Sequence, residues 1–213
     1  MPSSLACSTA LCVKRDSSFK RPPCHTPPCY RTSTGIFEAL GAVVGEGRAR
    51  GFDGLVYLGY IVGYGANPQA SLHPVQELTD EVVLGNHDAA AIGQTDLAYF
   101  NPDARRAAEW TAEQLGESER LYLASLPFVL QRDDAFFVHD PAEAKKALDA
   151  IEQRFCFVGH SHCPFVCIER DGGLELLPKG PQPIQPLSRY LANIGSVGQP
   201  RDGDAQACFA LWD

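Results

Sequence analysis

Four short apolar runs, each ending at one point in glycine or histidine and followed at once by polar side chains, constrain this chain most. They read "LVYLGY" (55–60), "EVVLGNHDA" (81–89), "AFFVHD" (135–140) and "RFCFVGHSHC" (154–163). A run of about four apolar residues bounded by a turn signal fits a buried strand better than a helix. Glycine at its end allows a sharp backbone turn. The polar groups Tyr60, Asn86-His87-Asp88, His139, His160-Ser161-His162 and, after "YLANIG", Asn193 therefore fall just beyond strand ends. In α/β sheets that is where loops gather and sites form.

Helical patterns separate these runs. "GIFEALGAVVGEGRARG" sets Phe37, Leu40, Val43 and Val44 on one face, with Gly51 suited to the C-terminal cap. Asn101 and Pro102 read as an N-cap and first residue for "DARRAAEWTAEQLG", and "PAEAKKALDAIEQ" predicts another helix. "CPFVCIER" and "GLELLP" around Asp171-Gly172-Gly173 predict a hairpin, and "ACFALW" a late strand. Alternating elements early and strands late give the α/β class.

The first 34 residues differ in character. They hold four cysteines, five prolines, five basic residues and a single acid, Asp16, whereas the rest holds 13 basic and 25 acidic residues. No apolar period runs through them, so residues 1–34 are expected to be an irregular, disordered leader and 35–213 a single domain. A zinc knuckle at "CHTPPC" lacks a second cysteine pair, and a basic transit peptide is an alternative. The eight cysteines are irregularly spaced and follow no secretory signal, which points to reduced thiols and a cytoplasmic location. A net charge of -8 argues against binding a nucleic-acid duplex, and no apolar run is long enough to span a membrane.

Imidazole and amide oxygen suit borderline divalent ions such as Mn, Fe, Ni or Zn. His160 and His162, taken as extended, would project to one side, where one group can serve two neighbouring ions. Alone, the His-x-His pair is a weak signal. With "GNHD" before it and "FFVH" between, in that order, the set resembles the calcineurin-like metallophosphoesterases, closest to their small bacterial phosphodiesterase branch. "LGYIVGYGANP" (58–68) and "NIGSVGQPRDGD" (193–204) add to the likeness, which runs from about Gly35 to Asp213.

The resemblance implies a two-sheet sandwich flanked by helices (α/β/β/α) and two divalent ions at the strand ends. Asn86, His139 and His160 would bind one ion and His162 the other. His87 would donate a hydrogen bond or proton to the phosphate or leaving oxygen, with Asp88 orienting its ring. Such ions, about 3.5–4 Å apart, clamp a phosphate and make hydroxide available near neutral pH. The implied reaction is hydrolysis of a small phosphomonoester or phosphodiester. His73 and His25 receive no role, and "GSVGQPRDGD" reads chiefly as turn chemistry, with Asn193 and Arg201 as alternatives near substrate.

The acids that family members carry are missing. The second motif reads Gly59-Tyr60 in place of Gly-Asp, whose Asp bridges the ions, and Thr32 and Thr34 stand where Asp-x-His belongs. A frame change accounts for the latter. The codons GAC ATC CAC GGG AAT CTT for Asp-Ile-His-Gly-Asn-Leu, read from the second letter, give Thr-Ser-Thr-Gly-Ile, which is residues 32–36. One added nucleotide completes Phe37 and restores Glu38-Ala39-Leu40. His139 also runs directly into Asp140-Pro141 without the family's longer loop, and the chain stops at Asp213 inside a strand-like stretch. The expectation is a sandwich missing its first strand and part of its C-terminus, binding one ion or none tightly. Its hydrolysis would be impaired; a catalytically dead scaffold or protein-binding module of the same fold is the alternative.

Overall fold

The structure is a computed structural model that describes residues 11–15, 35–148, 151–179 and 183–212. Its strands form two ladders. The smaller has the order β2 (Phe52–Tyr57), β1 (Leu11–Arg15), β9 (Ala210–Trp212). The larger has the order β3 (Val129–Arg132), β4 (Ala135–Val138), β5 (Phe155–Val158), β8 (Tyr190–Asn193), β6 (Phe165–Arg170), β7 (Gly173–Leu176).

β1 corrects one expectation. Part of the supposedly irregular leader is a strand, antiparallel to β2 and parallel to β9. Composition averaged over 34 residues hides "LCVKR", a run free of Pro and Gly that can satisfy the open edges of two neighbours. The rest of the leader, including Thr32, Thr34 and the "CHTPPC" segment, lies outside the described residues.

Apolar packing explains the layering. α1 (Gly35–Ala49) and α2 (Pro68–Leu78) lay Leu40, Val43, Val44, Leu72 and Val75 against Leu55 and Tyr57 of β2. The opposite side of β2, through Val56, packs with Ala210 of β9 and with Phe137, Phe157, Ile168 and Tyr190 of the larger ladder. α6 (Pro141–Leu148) covers the far face, where Ala144 meets Phe136, Val138, Cys156 and Val158. Both faces of β4 and β5 are therefore buried, which is why these strands are apolar throughout. Phe137 and Phe157 stack at 5.4 Å and are essentially inaccessible, each contributing about 1.5–3 kcal/mol of burial.

Register positions the site. β4, β5 and β8 are parallel, pairing Phe137 with Phe157 and Val158 with Asn193, so their C-terminal ends meet at one edge. A single parallel bridge, Tyr57 to Val82, brings Gly85 beside Gly59. The segment 81–84 was expected as a strand, but Leu84 N–H donates to Pro127 O at 2.8 Å instead of extending the ladder. α3 (Asn86–Ala91) starts there. α4 (Pro102–Gln114) begins as expected, with Asn101 Oδ1 accepting from Asp103 and Ala104 N–H. α5 (Glu117–Ser125) follows. The β6–β7 hairpin turns through Asp171 and Gly172, both at positive φ (52° and 76°), as two-residue turns of matching twist require.

Candidate functional site

Two glycines let the strand ends close on each other. A side chain on Gly59 (φ 83°) would stand 2.6 Å from Gly85 Cα and 2.8 Å from His139 Nδ1. With nothing there, the 60–62 loop lies across the start of α3, where Asp88 holds it. Asp88 is fully buried, and its carboxylate accepts from the N–H groups of Tyr60 (2.8 Å), Gly85 (3.0 Å) and Val62 (3.0 Å). Burial pushes its pKa up to about 6, against the lowering effect of these bonds. The carboxylate is thus committed to backbone, and His87 Nδ1 is buried without a hydrogen-bond partner. The expected role of Asp88 in orienting the His87 ring is not what the structure has; Asp88 orders the loop.

Two of the histidines, His139 and His162, have defined tautomers. His139 donates from Nδ1 to Leu58 O at 2.6 Å, and burial lowers its pKa to about 3, so Nε2 carries a lone pair. That lone pair faces Asn86 Oδ1 at 3.1 Å. His160 Nδ1 lies 3.2 Å from the same oxygen. His162 donates from Nδ1 to Gln199 O at 2.7 Å, and its buried Nε2 has no partner. Burial lowers the pKa of His162 to about 4 and that of His87 likewise to about 4. An imidazole whose Nδ1–H is fixed on a carbonyl while Nε2 points inward is the arrangement metal-binding histidines adopt. Two acceptors facing at 3.1 Å, as Asn86 Oδ1 and His139 Nε2 do, fit either a cation between them or an amide turned so that its NH2 meets the ring.

The segment expected to be extended instead turns. His160 (φ 65°) and His162 (φ 59°) are both left-handed, and Ser161 N–H bonds to Gly159 O. Asn193 braces this turn, donating from Nδ2 to Gly159 O and accepting from Gly195 N–H. Arg201, on the loop read as turn chemistry, lies close by. Its N–H bonds to His162 O at 3.1 Å and its guanidinium stands 5.6 Å over the Tyr64 ring, which in turn lies 4.2 Å from the His87 ring. Arg201, read from sequence as an alternative near substrate, and Tyr64, which received no role there, both arrive through loops.

The group least expected here is Tyr60. Its ring centroid is 4.3 Å from that of His139, 5.0 Å from His162, 5.1 Å from His87 and 6.1 Å from His160. Its hydroxyl meets His160 Nδ1 at 3.1 Å, and burial raises its pKa further above the neutral range. Its φ is 61°, a region that costs a bulky L-residue about 1–2 kcal/mol and that Asp and Asn tolerate better.

A family model described as the calcineurin-like phosphoesterase superfamily domain matches residues 39–213. The chain belongs to that superfamily. An uncharacterized protein of Methanocaldococcus jannaschii is 36% identical over 190 residues, covering 83% of this chain and 77% of that protein. The crystal structure of a metallophosphoesterase from Sphaerobacter thermophilus superposes with a TM-score of 0.61 at 28% identity, covering 96% of this chain and 89% of that one. A hypothetical protein of Pyrococcus horikoshii, at 21% identity and TM-score 0.55 over 82% of this chain and 79% of its own, shares the fold. This calcineurin-like phosphoesterase is thus, by family, a hydrolase of phosphoester bonds with the α/β fold of metallophosphoesterases, and the family is divalent-metal dependent.

The residues present do not fit the two-ion centre. Among the described residues, no three His, Cys, Asp or Glu side chains are grouped to hold an ion. Among the described residues no carboxylate hydrogen-bonds to these side chains: Asp88 is engaged with backbone, and Asp140, next to His139, acts on it only through its charge. Where a bridging acid would enter from the Gly59 turn, an aromatic ring enters instead. Among the described residues no helix is long and apolar enough to cross a membrane.

Proposed function

We propose that this chain is a phosphoesterase of small phosphomonoesters or phosphodiesters whose hydrolytic capacity is impaired. One observation supports both halves of the reading. Asn86 Oδ1, His139 Nε2 and His160 Nδ1 gather within 3.2 Å contacts at the strand ends, yet among the described residues no carboxylate hydrogen-bonds to them. What remains of the activity is assigned to these three, to His162 with its unpartnered Nε2, and to His87, which as a neutral ring can donate one hydrogen bond to a phosphate oxygen. Each electrostatic element lost from such a site is worth roughly 3 kcal/mol. With two absent, turnover should fall about 10⁴-fold from an ordinary enzyme rate of ~10 per second. The cofactor class is that of the family, a divalent ion such as Mn, Fe, Ni or Zn, of which this chain is expected to bind one or none tightly. The net charge of -8 disfavours duplex nucleic acid as a partner, and a cytoplasmic location accords with the cysteine pattern.

The test is release of nitrophenol from p-nitrophenyl phosphate and from its bis-ester, with and without manganese. Turnover near or below about 10⁻³ per second is expected; manganese-stimulated turnover above one per second would exclude impairment. The filling of the site by Tyr60 favours a second reading, a scaffold without catalysis. Folded, monodisperse protein with no detectable hydrolysis of either ester would select it.

A further inference from the structure

We propose that Tyr60 is a resident plug that takes the place of the ion pair, so that this domain completes its strand-end site with a phenol ring in place of metal. The proposal rests on reading this edge as the family's metal site, and it goes beyond the loss of a ligand. A lost carboxylate would leave a hole lined by imidazoles. Here a phenol ring stands among those imidazoles, beside a remaining cavity of about 40 Å³ that Tyr60, His139, His160 and His162 line.

Three independent features place the ring. The Tyr60 N–H is fixed on Asp88 Oδ2 and the Val62 N–H on Asp88 Oδ1, so the backbone on both sides of the ring is anchored to a buried carboxylate. Before it, Gly59 packs against Gly85 with no room for even a methyl group, so the turn cannot settle elsewhere. At its far end the hydroxyl meets His160 Nδ1. Between these anchors the ring touches the imidazoles of His139, His162 and His87 edge to face. A divalent ion would need ligand atoms about 2.0–2.3 Å away on every side. With its centroid 4.3 Å from that of His139 and 5.0 Å from that of His162, an aromatic ring and not a ligand atom borders these two imidazoles on that side. The exchange is also electrostatically consistent. A neutral phenol brings no charge that needs a balancing acid.

The proposal separates a plug from a mere missing ligand through three variants of the full chain, each first stripped with EDTA. Metal content after dialysis against Mn or Zn, and the thermal midpoint with and without each ion, are the readouts. The unaltered protein should retain under 0.1 equivalent and show a midpoint unmoved by EDTA or added ion. Tyr60→Phe keeps the ring and loses the hydroxyl, and should behave the same way. Tyr60→Asp should retain at least half an equivalent and show a metal-dependent rise in midpoint. Tyr60→Gly, which suits the left-handed backbone and simply opens the space, should gain metal binding too, at least 10-fold above the unaltered protein.

Stoichiometric uptake by the unaltered protein overturns the plug. So does failure of both Tyr60→Asp and Tyr60→Gly to gain any ion, because the missing ligands would then suffice to explain the loss. If Tyr60→Asp does not fold, Tyr60→Gly decides alone. Hydrolysis is scored separately: a variant that gains metal and cleaves no ester supports the plug and counts against the phosphoesterase reading.

Discussion

The carboxylate of Asp88 holds the backbone N–H of Tyr60 at 2.8 Å, across 28 residues of sequence. The same group accepts from Val62 and Gly85, and it is inaccessible to solvent. Removing it strands three buried donors, each costing about 1–3 kcal/mol when unsatisfied. Asp88→Ala should therefore lower stability by about 3 kcal/mol or more, read as a shift in the urea midpoint at constant slope. Asp88→Asn retains one acceptor oxygen and should lose roughly half as much. Equal, small effects would show that the carboxylate does not order the 60–62 loop.

Gly59 and Gly93 offer a matched pair. Both have positive φ, 83° and 76°, so alanine strains either backbone similarly. An added Cβ at Gly93 meets nothing within 4 Å, while at Gly59 it meets Gly85 backbone at 2.6 Å. Gly93→Ala should cost about 1–2 kcal/mol. Gly59→Ala should cost at least ~2 kcal/mol more, because backbone and not a flexible side chain must move. Thermal melts of the two variants side by side check the difference. Equal melts would mean that the two strand ends are not packed as closely as described.

The same contacts show what the sequence could and could not disclose. Strands whose two faces are buried are apolar throughout, so β4 and β5 were legible, and parallel register then gathered His139 and His160 without further information. The Asn101-Pro102 start of α4 was legible because capping is local. α2 was hidden by Pro74 in its interior, and α5 and β3 by largely exposed faces that carry little apolar periodicity. β1 was hidden by its Cys/Pro-rich surroundings. At the site, the identity of Tyr60 was readable as a lost acid. That its ring would stand among four imidazoles depends on a backbone anchor supplied by Asp88, and no pattern in the chain announces a contact of that range. Asp88 follows the same logic: adjacency to His87 suggested a partner, and its carboxylate bonds to the loop backbone across the turn.

β1 can be tested without altering the domain's own core. In the smaller ladder β9 has β1 as its neighbour, so the pairing of Val13 with Leu55 and Leu211 secures both flanks. Val13→Pro removes an N–H and disrupts the ladder, at a cost of about 3 kcal/mol in a central strand. The expected result is a clear loss of thermal stability and faster hydrogen exchange in 52–57 and 210–212. An unchanged melt would mean that the first 34 residues contribute nothing to the fold and that β2 and β9 find their partners elsewhere.

The last prediction concerns how far one base can restore chemistry. Tyr60 is a single nucleotide from Asp, and the Gly59 turn is already shaped for an acid at left-handed φ. Reversion supplies one carboxylate. It does not supply the Asp-x-His pair that the sequence resemblance implies ahead of α1, where residues 30–37 are proposed to be a shifted frame. Each missing electrostatic element is worth roughly 3 kcal/mol, so Tyr60→Asp should recover about 10²-fold in ester hydrolysis and stay about 10²-fold short of an intact enzyme. Restoring the frame over residues 30–37 together with Tyr60→Asp should close that gap. Two measurements decide: nitrophenyl ester turnover of the single and combined variants, and the nucleotide sequence across those codons, whose alternative frame should encode Asp-Ile-His. Full recovery by Tyr60→Asp alone would mean that Thr32 and Thr34 occupy no ligand positions and that the frame-change account is wrong.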